Sequence, residues 1–281
     1  MSRRFRVEHH SRYEYGDVVY SSYNEARITP MTTPSQLVLD ASVEVEPTQQ
    51  PPLRYLDYWG SVVHAFDLHL PHRDMEVIGR SVVETTMPIA PDSHLGWDEL
   101  RGDVVLDEFA ELLAPTVQVP VDPRLSDVAR ILQADCSPAT AGLAVVAWVR
   151  DQLTYVAGTT GVRTSAIEAW AGGQGVCQDF AHLALAVGRA MGLPARYCSG
   201  YLHPDPDAGL GLTLEGQSHA WIEIWTGDWQ AFDPTIGSPI GDHHVLVARG
   251  RDYADVSPIK GIFHGGHTSE LDVSVHLTRL G

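Results

Sequence analysis

Cysteine is scarce in this sequence, with three in 281 residues. A sparse, odd set does not make the disulfide framework of a small secreted scaffold, and it points to a reducing compartment, with the cytoplasm as the expected location. Basic charge is scarce as well: 19 Lys and Arg stand against 36 Asp and Glu, a formal charge of −17 with His neutral. Such an acidic surface repels phosphate backbones and anionic lipid, so neither nucleic acid nor a membrane surface is an expected partner. No apolar run reaches bilayer length, and the opening MSRRFRVEHHSRYEY has two early arginines with no apolar segment behind them. Neither a spanning helix nor a secretory leader is therefore expected. Cys-x-x-Cys and His-Glu-x-x-His spacings are missing, as is an Asp-x-Asp-x-Asp-Gly loop, so no zinc, calcium or other cofactor is expected.

What is present suits a soluble globular chain with a core that needs no staples: 44% apolar and 20% charged residues. Phe5–Glu8, Tyr13–Tyr15, Leu39–Val45, Val62–Leu70 and Val77–Thr85 alternate with the two-residue period of half-buried strands. Prolines at 30, 34, 47, 51, 52, 71 and 88 break them apart. Residues 1–115 thus read as an antiparallel β-domain. After Pro115, Pro120 and Pro123 the pattern turns helical. Ser137-Pro138 opens a helix running toward Tyr155, and Ser165 with Glu168 forms a capping box for a short helix ending at Gly172-Gly173. A third helix spans about 176–191, stopped by Gly192 and Pro194. Strands at 196–202, 218–225, 229–233, 244–247 and 271–277 follow, which makes 116–281 an α+β unit.

Within the third helix, Val176, Phe180, Leu183, Val187 and Met191 form an apolar stripe, and Cys177 sits in the first turn. Unpaired N–H groups and the positive dipole end favour a thiolate there, and the same N–H groups can donate to an oxyanion formed beside the sulfur. Gly172, Gly173 and Gly175 leave room for a substrate backbone, and Ala181, Ala184 and Gly188 let the Cys177 face press onto a sheet. Asp179 suits a helix start, but its charge opposes a neighbouring thiolate. A free cysteine is more often just a small buried hydrophobe, and that reading fits Cys136 and Cys198.

The segment SHAWIEIWTGDWQAFDPT, 218–235, reads as a hairpin turning at Thr226-Gly227-Asp228. If Trp225 pairs with Trp229, His219 and Asp233 are diagonal neighbours on one face. A slip of one residue would separate them. An imidazole takes the proton of a thiol, and a carboxylate behind it fixes the tautomer and stabilises the imidazolium.

The blocks GVCQDFAHLALAVGRAMGLPARYCSGYL, SHAWIEIW and WQAFDPT resemble, in order, the Cys, His and Asp motifs of the transglutaminase-like superfamily, in particular its bacterial cysteine-protease-like branch. Tyr23–Pro30 is similar to the N-terminal β-region of that branch, and Val247–Pro258 to its tail motif. The likeness covers nearly the whole chain; one departure is Ser61 after Tyr58-Trp59-Gly60, where relatives more often carry Asn. The resemblance implies a papain-like core with a catalytic triad of Cys177, His219 and Asp233. It also implies a thioester intermediate that water or an amine resolves, and a peptide or protein substrate. Arg251 and Asp252 would support the site on the same analogy. Two rivals stand beside this reading. One is a non-catalytic peptide-binding module on the same fold. The other is a zinc site drawn from His9, His10, His243, His244, His264 and His267 with Cys177 and His182. The loop 203–216 and the Gly265–Thr268 stretch are read as turns in preference to cleft walls.

Overall fold

The alternation in the N-terminal segment runs further than expected: one strand, β1 (Ser2–Ala26), carries both predicted pieces and buries Phe5, Val7, His9 and Ser11 in strict two-residue rhythm. In this computed structural model residues 2–48, 50–89, 95–205, 207–266 and 269–281 are described. After β1 come β2 (Gln36–Glu46), β3 (Leu53–Leu56), β4 (Val62–Leu68) and β5 (His72–Thr86). The segment that the sequence grouped with the β-region then forms three short helices, α1 (Trp97–Leu100), α2 (Asp103–Glu108) and α3 (Ala110–Leu113). It has no two-residue alternation, and the Glu99 carboxylate accepts the Gly96 N–H at 2.7 Å, closing the first of these turns.

Next are α4 (Pro123–Asp135), α5 (Pro138–Gln152), β6 (Thr154–Tyr155), α6 (Ala166–Gly172), β7 (Gln174–Gly175) and α7 (Cys177–Ala190). The predicted starts hold. Ser165 accepts from the Glu168 N–H, Gly173 ends α6 at φ 65°, and Pro138 occupies the first turn of α5. The α5 helix stops before Tyr155 because Thr154 and Tyr155 pair in parallel with Gln174 and Gly175. The chain closes with β8 (Ala195–Leu202), β9 (Thr213–Trp225), β10 (Trp229–Asp233), β11 (Ser238–Pro239), β12 (His244–Gly250), α8 (Tyr253–Val256), β13 (Ile259–Gly265) and β14 (Ser269–Arg279). Among the described residues no helix is long and apolar enough to cross a membrane.

The fold is α+β. Twelve strands join in one sheet with the path β11-β10-β9-β14-β1-β4-β3; β8 and β12 branch from β9, and β5, β2 and β13 from β1. The closing strands return to the start of the chain, β13 and β14 both pairing antiparallel with β1. The β9 strand connects the two regions, since Thr213–Gly216 pairs with β14 while Gln217–Ile224 pairs with β8. The main core follows suit, uniting Phe5, Val7 and Val83 with α5, α7 and β8–β10, while a second core of Tyr15, Val19, Ile28, Phe66 and Met75 lies within the N-terminal strands.

Candidate functional site

The α7 helix lies against β8 and β9 on one side and α4, α5 and α6 on the other, and is buried along almost its whole length. Its small face is Ala181, Ala184 and Gly188, and a Cβ at Gly188 would reach Ala195 and Ile224 at ordinary contact distance. That fit brings the first turn of α7 to the β8–β9 surface. Cys177 is the first helical residue and is half-buried. It and Gln178 have no carbonyl four residues back within the helix, so their N–H groups are available to an oxyanion formed beside the sulfur.

Asp179 is fully buried, and its Oδ2 accepts from the Val176 N–H at 2.7 Å and the Thr160 hydroxyl at 2.6 Å. Burial raises its pKa, against both hydrogen bonds. The carboxylate therefore serves as the cap of α7. It also explains Gly175, where a Cβ would fall 2.6 Å from that of Asp179. The glycine makes room for the cap.

The hairpin has the predicted register: Trp225 pairs with Trp229 and Ile222 with Phe232. His219 and Asp233 accordingly meet, Nε2 to Oδ2 at 2.5 Å, with the carboxylate fully buried and the ring nearly so. The Cys177 thiol lies within hydrogen-bonding reach of the same ring, on which Nδ1 is the nitrogen left free. Burial disfavours the imidazolium, but the Asp233 and Cys177 hydrogen bonds and the charges behind them outweigh it and raise the His219 pKa to about 9. For Asp233, burial is likewise outweighed by hydrogen bonds from His219 and His244, and its pKa falls well below the carboxylate range. The three residues singled out in the sequence thus converge. The other thiols do not: burial pushes up Cys136 and, more strongly, Cys198.

Sequence reasoning placed His244 only in a zinc set. It is instead the second partner of Asp233, Nε2 to Oδ2 at 3.2 Å. His219, Asp233 and His244 are also the potential metal cluster found among the described residues, with ligand atoms within 4.8 Å of one another. Mutual hydrogen bonds account for all three. A cation there would have to displace the protons that hold the carboxylate, and the donor set does not call for one. Of the other histidines raised for zinc, His9 bonds Tyr201 and Ser11, His10 bonds Glu76, His182 accepts from the Tyr253 N–H, and His267 lies outside the described residues. Arg251 and Asp252 do not touch the triad: Arg251 pairs with Asp255, and Asp252 caps α8.

A cleft of about 350 Å³ opens onto His219, walled by Tyr155, Leu202, Pro204, Gln217, Thr235 and Ile236. Of the segment read from sequence as plain turns, Pro204 lines this cleft from the loop, and Glu215 and Gly216 line it from the start of β9. Tyr155 stands close enough to Cys177 that, after burial, the charge of the sulfur raises the phenol pKa further. A larger polar cleft of about 480 Å³, with Thr160, Arg163, Glu168 and Gln174 in its wall, contains none of the three converging residues.

Comparison with known proteins gives the family and the fold. The profile "Transglutaminase-like superfamily" matches residues 127–234, and "Bacterial transglutaminase-like N-terminal region" matches 5–84. The chain is 46% identical to Uncharacterized protein ML0607 of Mycobacterium leprae, with 99% of each chain covered. It is 32% identical to Uncharacterized protein Rv2569c of Mycobacterium tuberculosis, over 98% of this chain and 92% of that one. Among solved structures, "a Putative Cysteine Protease from Cytophaga hutchinsonii" superposes with a TM-score of 0.73 at 22% identity, covering 99% of this chain and 98% of that one, and so shares the fold.

Proposed function

Because the chain belongs to the transglutaminase-like superfamily, we propose that it is a thiol-dependent enzyme acting on amide bonds through a Cys177 thioester. The observation carrying this reading is the convergence of a half-buried helix-start thiol with an imidazole whose far nitrogen is held by a buried carboxylate.

With its pKa near 9, the His219 ring holds a proton at neutral pH and faces the sulfur as an imidazolium. The sulfur attacks the carbonyl carbon, and the carbonyl electrons move to an oxyanion beside the Cys177 N–H. Collapse breaks the carbon–nitrogen bond, and His219 gives its proton to the departing amine. Water or a second amine then attacks the thioester, His219 takes a proton from it, and the carbon–sulfur bond breaks to leave the sulfur as a thiolate beside the re-formed imidazolium. Throughout, Asp233 keeps the ring in one tautomer and orientation. The substrate class is a peptide or protein, supported by the largely apolar wall of Tyr155, Leu202, Pro204 and Ile236, which suits an apolar side chain. Three free thiols suit a reducing compartment such as the cytoplasm.

Mass spectrometry of the protein incubated with a peptide library, with and without an added primary amine, tests the reading. Acyl-enzyme on Cys177 is expected, with products ending in a carboxylate if water is the acceptor and in a new amide if the amine is. No acyl-enzyme under either condition would favour a binding module. Since no step runs through a metal, EDTA is expected to leave turnover of the same peptides unchanged; loss on chelation, restored by added zinc, would contradict the mechanism.

A further inference from the structure

We infer that His244 is a positioning residue of this site, fixing the plane of Asp233 and through it the ring of His219. The inference rests on the thiol reading above and concerns a residue to which that reading gives no part. His244 opens β12 with its side chain fully buried. The Gly241 N–H donates to its Nδ1 at 3.2 Å, so Nδ1 carries no proton. The remaining nitrogen, Nε2, must hold the hydrogen, and it donates to Asp233 Oδ2 at 3.2 Å. The backbone turn thereby fixes the tautomer of His244.

Asp233 uses its full acceptor capacity. Oδ1 takes the Thr235 and Ile236 N–H groups at 2.8 and 3.2 Å, and Oδ2 takes His244 and His219. A carboxylate offers about four lone-pair sites, so all are occupied by named donors. Without His244, Oδ2 has His219 as its one partner, and the carboxylate can turn about its Oδ1 anchor. Its hydrogen bond to His219 then loses direction. Rings and paired charges surround His244. The His243 ring lies tilted at 4.5 Å, the His219 ring lies at 6.1 Å, and Trp221 presents an edge at 5.4 Å. Across a small cavity are Glu223 and Arg249, which pair with each other, and Arg196 completes the neutralisation of Glu223.

The test uses the full chain with p-nitrophenyl acetate as acyl donor and iodoacetamide as thiol probe, both read at Cys177 by peptide-resolved mass spectrometry. His244→Ala is expected to slow acylation on the order of tenfold to a hundredfold with apparent KM within about twofold. It should also lower the alkaline inflection of iodoacetamide labelling, which reports His219 and is expected near pH 9 in the native chain. His244→Gln, whose amide can still donate, should recover most of the rate and the inflection. A purely structural role would slow both variants alike and leave the inflection in place; that result overturns the inference, as does a His244→Ala chain with native rate and inflection. If the native chain is acylated and His244→Ala matches it, this inference falls alone. A native chain not acylated at Cys177 overturns the thiol reading and this inference with it.

Discussion

Asp233 sits where no water reaches, yet it stays ionised because four donors surround it. The pH behaviour of the site follows from that. The His219 pKa is raised from an ordinary 6.5 to about 9, so the stabilisation given by its pair with Asp233 is complete below about pH 6.5 and lost as pH rises through 9. The linked stabilisation is of order 3 kcal/mol at most. Urea unfolding at about pH 6 and about pH 9.5 should show that difference in the native chain and much less of it in Asp233→Asn. The same substitution should slow Cys177 acylation on the order of 10²- to 10⁴-fold, because the ring loses its fixed tautomer. The meeting of Cys177, His219 and Asp233 was legible in the sequence, part by part from a helix start and strand parity and as one site through the family resemblance. His244 was not. Its role depends on where the turn at Gly241 delivers β12, and no spacing in the sequence encodes that.

At the level of elements, the first turn of α7 is set by a cap in which Asp179 closes on the Val176 N–H with help from Thr160. Gly175→Ala would drive a methyl group into that cap. It is expected to destabilise the chain by about 1–3 kcal/mol, read as a lower urea midpoint with unchanged m, and to reduce acylation of Cys177 as the helix start shifts. Hairpin and helix boundaries were readable because capping residues, prolines and turn residues act locally, as at Ser165, Pro138 and Gly227. The glycines before Cys177 were readable only as glycines. Whether Gly175 yields to a ligand or to Asp179 is decided by tertiary contact.

Across the whole molecule, the chain's first and last long strands pair with each other, and β14 also carries the start of β9. Alternation showed β14 as a strand but not its partner, because pairing across more than two hundred residues leaves no local trace. Val275 and Leu277 from that strand lie in the main core with Phe5 and the helices. Unfolding is therefore expected to be a single cooperative transition, coincident by tryptophan fluorescence and far-UV circular dichroism; two separated transitions would show that residues 1–115 and 116–281 fold independently. All of this architecture brings one thiol to one imidazole, and the most direct test of that claim is acylation by p-nitrophenyl acetate followed by peptide-resolved mass spectrometry. The account predicts an acetyl group on Cys177 that is lost in Cys177→Ala and strongly reduced in His219→Ala. Acetyl groups on Cys136 or Cys198 with Cys177 spared would contradict it.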